Sequence, residues 1–137
     1  MRPTPIPSPH ADLVFLSKTD LHFLADGLIL KNQWSIDRCV DFVIAETKGV
    51  WHGRARAMMC RRLKHCALGR KQRAQLVEAI SERLVSGEFF QQFKDQLRLA
   101  IRLDMETTSA AARKTLKSSK SYAVRYAQWV LSHENLP

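Results

Sequence analysis

Acidic side chains are missing from one long stretch of this chain. Between Arg54 and Arg73 there are eight Lys or Arg and no Asp or Glu. Other shortages bound the fold. Cys39, Cys60 and Cys66 are the only cysteines. An odd set without close pairing argues against disulfides and for small buried hydrophobes in a reducing cytoplasm. Apolar runs such as Leu28 to Leu30 are far too short for the roughly 20 residues that span a bilayer, so no membrane partner is expected. The first residues lack the apolar core of a signal peptide. No stretch alternates apolar and polar residues well enough to predict a strand. A Gly-rich phosphate loop, a nucleophile elbow and a His-Glu-x-x-His pair are all missing. Nothing therefore recommends an enzyme, and no catalytic residue, cofactor or metal is assigned.

What is present is positive charge, unevenly placed. The formal net charge is +9 over 137 residues. Residues 1–50 carry a net −1, residues 51–75 a net +8, residues 76–106 a net −2 and residues 107–137 a net +4. Two segments supply more than the whole excess. Clustering of this kind points to an anionic partner more strongly than net charge does. The chain is long enough, and at 45% hydrophobic content apolar enough, for one domain with a real core.

Residues 1–10 place proline at every second position from Pro3 to Pro9. That spacing excludes helix and removes strand donors. Residues 1–12 read as a Pro-rich flexible tail and 13–137 as a single all-helical domain. A first helix begins near Ser17 or Thr19, buries Leu21, Leu24, Leu28 and Phe23, and ends at Lys31-Asn32. Ser35 caps a second helix with Ile36, Val40, Val43 and Ile44 inward and Cys39 beside them. It stops at Thr47-Lys48-Gly49. A basic helix follows over 52–66, burying Ala55, Met58, Met59, Leu63 and Cys66. Arg54, Arg61 and Lys64 fall on its opposite arc, Arg56 at the edge of the apolar stripe and Arg62 within it. A cation there must snorkel or find a partner.

Gly69 breaks the chain before a fourth helix that runs to Val85, with Leu76, Val77, Ile80, Leu84 and Arg73 on one arc. Arg70, Lys71 and Arg73 in its first turn oppose the helix dipole, at a cost of roughly 0.3–1 kcal/mol each. The fold does not require that placement, so it hints at an anionic contact. Ser86-Gly87 is a stop. Phe89, Phe90, Phe93, Leu97, Ala100 and Ile101 then predict a central, strongly apolar helix. Thr107 or Thr108 caps another, through Ala110-Ala111-Ala112. Lys117 to Ser121 is either a break or a cap for a last helix, with Ala123, Tyr126, Trp129 and Val130 inward.

Short paired helices invite a search for a period. At an offset of 40 residues, Arg62-Leu63 falls on Arg102-Leu103, Met59 on Leu99, Cys60 on Ala100, Arg73 on Arg113 and Leu76 on Leu116. Forty residues earlier stand Phe23, Ile36 and Val40. The pattern resembles HEAT-like or armadillo-like helical repeats, over about three units from 17 to 131. The resemblance implies stacked antiparallel helix pairs, a small HEAT-like array, used as a binding surface. It also implies buried arginines paired with aspartates of a neighbouring unit, here Arg62 and Arg102 with Asp95 or Asp104. An irregular helical bundle is the alternative.

His52, Cys60, His65 and Cys66 are metal-ligand types, but their spacing is wrong for a zinc site. Asp37/Asp41 and Glu78/Glu82 are paired carboxylates at helical spacing, which nuclease acids share with ordinary salt-bridged ones. Trp34 and Trp51 are expected to staple helix ends to the core. Tyr122 and Tyr126, beside Lys120 and Arg125, fit a stacking surface, although Tyr126 also fits the core. The leading expectation is a non-catalytic basic module. It contacts nucleic acid through phosphate-directed Arg54, Arg61, Lys64, Arg70, Lys71, Arg113, Lys114, Lys117 and Lys120, with low sequence specificity. If repeat units stack, these residues form one groove. The alternative is an adaptor for an acidic protein.

Overall fold

The structure, a computed structural model, describes residues 12–90 and 92–135; the Pro-rich segment 1–10 lies outside them. Seven α-helices follow a short 3-10 turn at Leu13–Phe15: α1 Lys18–Ile29, α2 Gln33–Ala45, α3 His52–Leu63, α4 Arg70–Ser86, α5 Phe93–Leu103, α6 Met105–Thr115 and α7 Ser121–Ser132. A last 3-10 turn spans His133–Asn135. Among the described residues there is no strand.

The packing is two-layered. One layer runs α1 on α3 on α5, the other α2 on α4 on α6. Across the layers α1 packs on α2, α2 on α3, α4 on α5 and α5 on α6, whereas α3 and α4 are joined in sequence without packing closely on each other. α7 covers the last pair, packing mainly on α6. This is a compact helical bundle, compatible with a repeat-like arrangement, with two distinct ends. The turns α1–α2, α3–α4 and α5–α6 lie at one end, here the turn end. The connections α2–α3, α4–α5 and α6–α7 lie at the other, here the connection end. Long-range bonds tie each end together. At the turn end, Lys31 Nζ donates to the His65 carbonyl at 2.9 Å and Arg102 Nε to the Lys64 carbonyl at 2.9 Å. At the connection end, His52 Nε2 meets the Leu16 carbonyl at 3.0 Å, and Lys120 Nζ donates to the Ser86 carbonyl at 2.9 Å.

The helix starts and stops have local causes. Ser17 and Asp20 form a capping box on α1, each side chain accepting the other's backbone N–H. Lys31, at φ 55°, ends α1 in left-handed backbone, with the Asn32 N–H donating to the Gly27 carbonyl. Gly87, at φ 71°, ends α4 the same way, where glycine carries no Cβ penalty. Asn32, not Ser35, caps α2 through its side-chain oxygen. Ser35 is instead buried in the first turn against Gly27. A Cβ on Gly27 would sit 2.0 Å from Ser35 Oγ, so this glycine lets α1 and α2 approach closely. Likewise Asp104, not Thr107 or Thr108, caps α6, and Thr108 is buried.

The core joins both layers: Leu21, Leu24, Leu28, Val40, Phe42, Met59, Leu63, Leu76, Ile80, Leu84, Phe93, Leu97 and Leu99 are buried together. Each such side chain contributes about 1.5–3 kcal/mol by leaving water. Several expected members lie elsewhere. Phe23 is 69% exposed, on the outer face of α1. Trp34 is exposed rather than stapled, and Arg73 faces out although its neighbour Leu76 is buried. α3 stops at Leu63, three residues before its expected end. α5 begins only at Phe93, because Gln92 adopts φ 68° and interrupts the helix there. Phe89 stacks on Phe93 at 4.1 Å from outside it, and Phe90 is exposed.

The period is real only in part. α1, α3 and α5 start 34 and then 41 residues apart, and α2, α4 and α6 start 37 and then 35 apart. An offset of 40 therefore matches α3 to α5, where Met59, Leu99, Cys60 and Ala100 are all buried. It fails from α4 to α6, where Leu76 is buried and Leu116 is exposed.

Candidate functional site

The acid-free block divides between the interior and one end of the stack. Arg56, expected at the stripe's edge, is 1% exposed. Its NH2 donates to the Thr47 carbonyl, and burial depresses its guanidinium to about 10. Arg62 finds Asp26 across the α1–α3 contact at 3.3 Å, not Asp95 or Asp104. Arg61 pairs with Asp95 at 2.7 Å, and Arg98 shares that carboxylate. Arg54 is exposed at the start of α3, its guanidinium 5.6 Å from the Trp51 ring, which Lys18 also covers at 4.2 Å.

The rest of the block reaches the turn end. Lys64 follows α3, half-buried, and Arg70, Lys71 and Arg73 occupy the first turn of α4, exposed. Two cations from outside the block join them: Lys31 from the α1–α2 turn and Arg102 from the last turn of α5. Lys31, Lys64, Arg73 and Arg102, with His65, line one open concavity of about 640 Å³. Arg70 and Arg73 border an adjoining hollow with Leu103 and Asp104. Sequence reading missed Lys31 and Arg102 as site members. Helix-end position was the available signal, since both stand where hairpin turns of a stack must meet.

Among the described residues, none of these six cations has a carboxylate within 4 Å. Three instead cap helix C-termini: Lys31 and Arg102 on the carbonyls that close α3, and Arg73 on the Leu103 carbonyl at 3.2 Å. Those partners carry only the partial negative charge of a helix C-terminus and offset the positive charge in part. The nearby carboxylates serve helix starts. Asp37 accepts from Gln33 and Gln72. Asp104 accepts from the Thr107 N–H and hydroxyl, and its carboxyl is held below the usual 3.8, first by that hydroxyl and with a smaller pull from Arg73.

The second basic segment lies apart. α3 and α6 are not packed neighbours; α5 stands between them, so the expected single groove is not assembled by direct helix packing. Arg113 is paired with Glu134, and Lys120 is tied to the Ser86 carbonyl. Lys114 borders a groove of about 600 Å³ between α4 and α6, opposite Glu78 and Glu82. Lys117 is exposed in the turn after α6. Tyr126 packs edge-on against Phe89 and Phe93, and Tyr122 donates its hydroxyl to the Gly87 carbonyl, so neither ring stands free.

The metal-ligand types are dispersed. Cys39 and Cys60 are buried thiols, each pushed up to about 12 mainly by desolvation. His52 is buried between Leu16 and Thr47. Among the described residues no group of three His, Cys, Asp or Glu could hold a metal ion, and no helix is long and apolar enough to cross a membrane. No protein-family model, curated protein or solved structure matches the chain.

Proposed function

We propose that the protein binds nucleic acid through phosphate-directed contacts made at the turn end. One observation carries the reading. Lys31, Lys64, Arg70, Lys71, Arg73 and Arg102 gather there without carboxylate partners, beside the N-terminus of α4, whose first turn holds no acid. Solvated cations on a convex or open surface suit a polyanion that neutralises several at once, since each phosphate contact releases counterions. The cations project from helix ends and turns, and no helix face offers a row of base-reading side chains, so sequence preference is weak. Arg54 and Arg61, expected as contacts, are engaged with Trp51 and Asp95, and Arg113, Lys114, Lys117 and Lys120 lie off this surface. The stacked hairpins are compatible with the HEAT-like resemblance, in which such arrays serve as binding platforms; here the turns would be the working edge.

The test is a titration of a short duplex and of a single strand at two salt concentrations. Binding is expected to weaken steeply with salt. The triple variant Lys64→Ala/Arg70→Ala/Lys71→Ala should flatten the slope of log K against log salt by roughly 2–3. An unchanged slope and affinity would remove the surface. A second reading, docking of an acidic protein at the same place, is favoured by one feature. Ile29, Leu30 and Trp34 are exposed around the α1–α2 turn, next to Lys31, and apolar surface beside charge suits a protein partner. Absorbance of the purified protein at 260 and 280 nm separates co-purified nucleic acid from co-purified polypeptide.

A further inference from the structure

The opposite end of the stack holds a second cationic feature of different construction. A concavity of about 550 Å³ opens between the α2–α3 connection and the start of α5, with Lys48, Trp51, Arg54, Arg56, Phe90 and Gln92 among its lining. Arg56 is 1% exposed there, and its Nε has no hydrogen-bond partner. The nearest acid, Glu46, is taken by Arg83, whose Nε lies 2.6 Å from Glu46 Oε2. Arg83 spends its other nitrogens on Gln96 and the Ile44 carbonyl. No ion pair within 4 Å joins Glu46 to Arg56. Two buried guanidiniums thus stand near one carboxylate, which pairs through Oε2 with Arg83 and leaves Oε1 without a hydrogen-bond partner. Arg56, donating only to Thr47, leaves the cluster with an excess positive charge at the concavity. An uncompensated buried charge costs several kcal/mol in general.

The backbone makes the same demand. α3 and α5 both begin at this concavity, and neither has a side-chain cap. Their N-cap residues, Trp51 at φ 70° and Gln92 at φ 68°, hold left-handed backbone that non-glycine residues seldom adopt. In α3 the His52 N–H donates to the Gly49 carbonyl and the Ala55 N–H to the Trp51 carbonyl, which leaves the N–H groups of Gly53 and Arg54, and these with the helix dipole favour an anion. Gly53, in the first turn of α3, leaves room: a Cβ there would meet nothing closer than Gln92 Oε1 at 3.9 Å. Lys48 and Arg54 stand exposed at the rim.

We infer that this concavity is a binding site for an oxyanion of the phosphomonoester class, held by Arg56, Lys48 and the first-turn N–H groups of α3, with Trp51 and Phe90 at its mouth. The anion completes the charge balance of Arg56, Arg83 and Glu46, and it caps α3. The volume lies in the range of small-molecule sites, which runs from about 300 to 1,000 Å³. The site is independent of the turn-end surface and stands or falls without it.

The test uses the full chain and amide NMR, titrating inorganic phosphate against sodium chloride at matched ionic strength. Saturable shifts are expected at Gly53, Arg54 and Gln92, together with a rise in melting temperature that chloride does not give. Lys48→Glu, an exposed substitution that leaves the core intact, should weaken the phosphate response at least tenfold. Arg56→Lys should weaken it while keeping the fold, with the amide spectrum as the control. A 5′-phosphorylated trinucleotide compared with its 5′-hydroxyl form identifies the source. Tighter binding of the phosphorylated form than of inorganic phosphate assigns a nucleic-acid end, and equal binding assigns a free phosphate compound. Identical responses to phosphate and chloride, shifts confined to Lys64–Lys71, or full binding by Lys48→Glu would each overturn the site.

Discussion

The two ends of the helical stack use the same residue types in opposite ways. At the connection end, the guanidiniums of Arg56 and Arg83 are drawn inside. Arg83 is 8% exposed and holds α2, α4 and α5 together through Glu46, Ile44 and Gln96. At the turn end, Lys31, Arg73 and Arg102 stay exposed and their hydrogen-bond partners are backbone carbonyls. A count of Lys and Arg cannot separate these uses, because Arg56 and Arg70 stand in one acid-free block. Burial and the charge of the partner separate them. A cation whose partner is a buried carboxylate serves the fold. A cation whose partner is the partial negative charge of a helix end keeps much of its field and remains available to a polyanion.

The sharpest way to break this contrast is to remove Arg83. Arg83→Met leaves the Glu46 carboxylate half-buried, without its ion-pair partner, and strands the Gln96 side chain. A loss of about 3–5 kcal/mol is expected, read as a lower midpoint in urea denaturation followed by circular dichroism. Glu46 carries the matching signature. Burial, opposed by Arg83, raises its carboxyl above the usual 4.5. The folded state therefore holds this proton more tightly than the unfolded one, and stability falls as pH rises from about 4.5 through the raised folded value. Glu46→Gln should flatten that part of the stability–pH curve. A loss from Arg83→Met no larger than that of a surface arginine would erase the distinction between the ends.

The converse applies at the turn end. Lys64→Ala/Arg70→Ala/Lys71→Ala should leave stability within about 0.5 kcal/mol at the exposed Arg70 and Lys71 and cost little more at the half-buried Lys64. It should nevertheless lower affinity for a short duplex at low salt at least tenfold, about 1.4 kcal/mol. A fluorescence anisotropy titration checks the second part and thermal melting the first. If the triple variant melts early and binds normally, the roles of the two ends are reversed.

Much of the fold was legible because helical periodicity survives single errors. Leu21-Leu24-Leu28 and Leu76-Val77-Ile80-Leu84 mark their helices unaided, and the observed elements follow the expected order. Caps were less legible. Ser35 and Thr108 have the right chemistry for a cap, but close helix packing buried both, and Asn32 and Asp104 took the role. Phe23 misled because one aromatic beside Leu24 fits either face until a neighbour is known. The site was half visible. The charge block is a sequence property, but its convergence with Lys31 and Arg102 depends on which helix ends meet. Arg56 could not be found from the sequence. It sits two residues from the exposed Arg54, and only the fold of the Thr47–Trp51 connection closes over it.

Asp104 tests whether the turn end tolerates loss of its few acids. Asp104→Ala removes the α6 cap and should cost about 1 kcal/mol of stability. Its carboxyl is held below 3.8 in the fold. The contribution is therefore present above about pH 3.8 and lost as pH falls below it. Wild type and variant should converge in denaturation experiments at acid pH. The same change should tighten nucleic-acid binding slightly, because it removes a negative charge beside Arg73.

The smallest effect is expected from Arg113→Ala. Its partner Glu134 lies in the last 3-10 turn, and both side chains are substantially solvated. Surface ion pairs of this kind contribute about 0–1 kcal/mol, with side-chain entropy offsetting most of the Coulomb gain. Removing Arg113 also subtracts one positive charge from the end of α6 that lies away from the turn end. Duplex affinity should change less than twofold, and the salt slope should stay within error of wild type. A drop as large as that of the turn-end triple variant would mean that a bound strand reaches both segments. The polyanion path would then run along α4 and α6 rather than stay at the turns. Because Arg113→Ala barely disturbs the fold, a changed salt slope in this variant reports the route of the strand and nothing about stability.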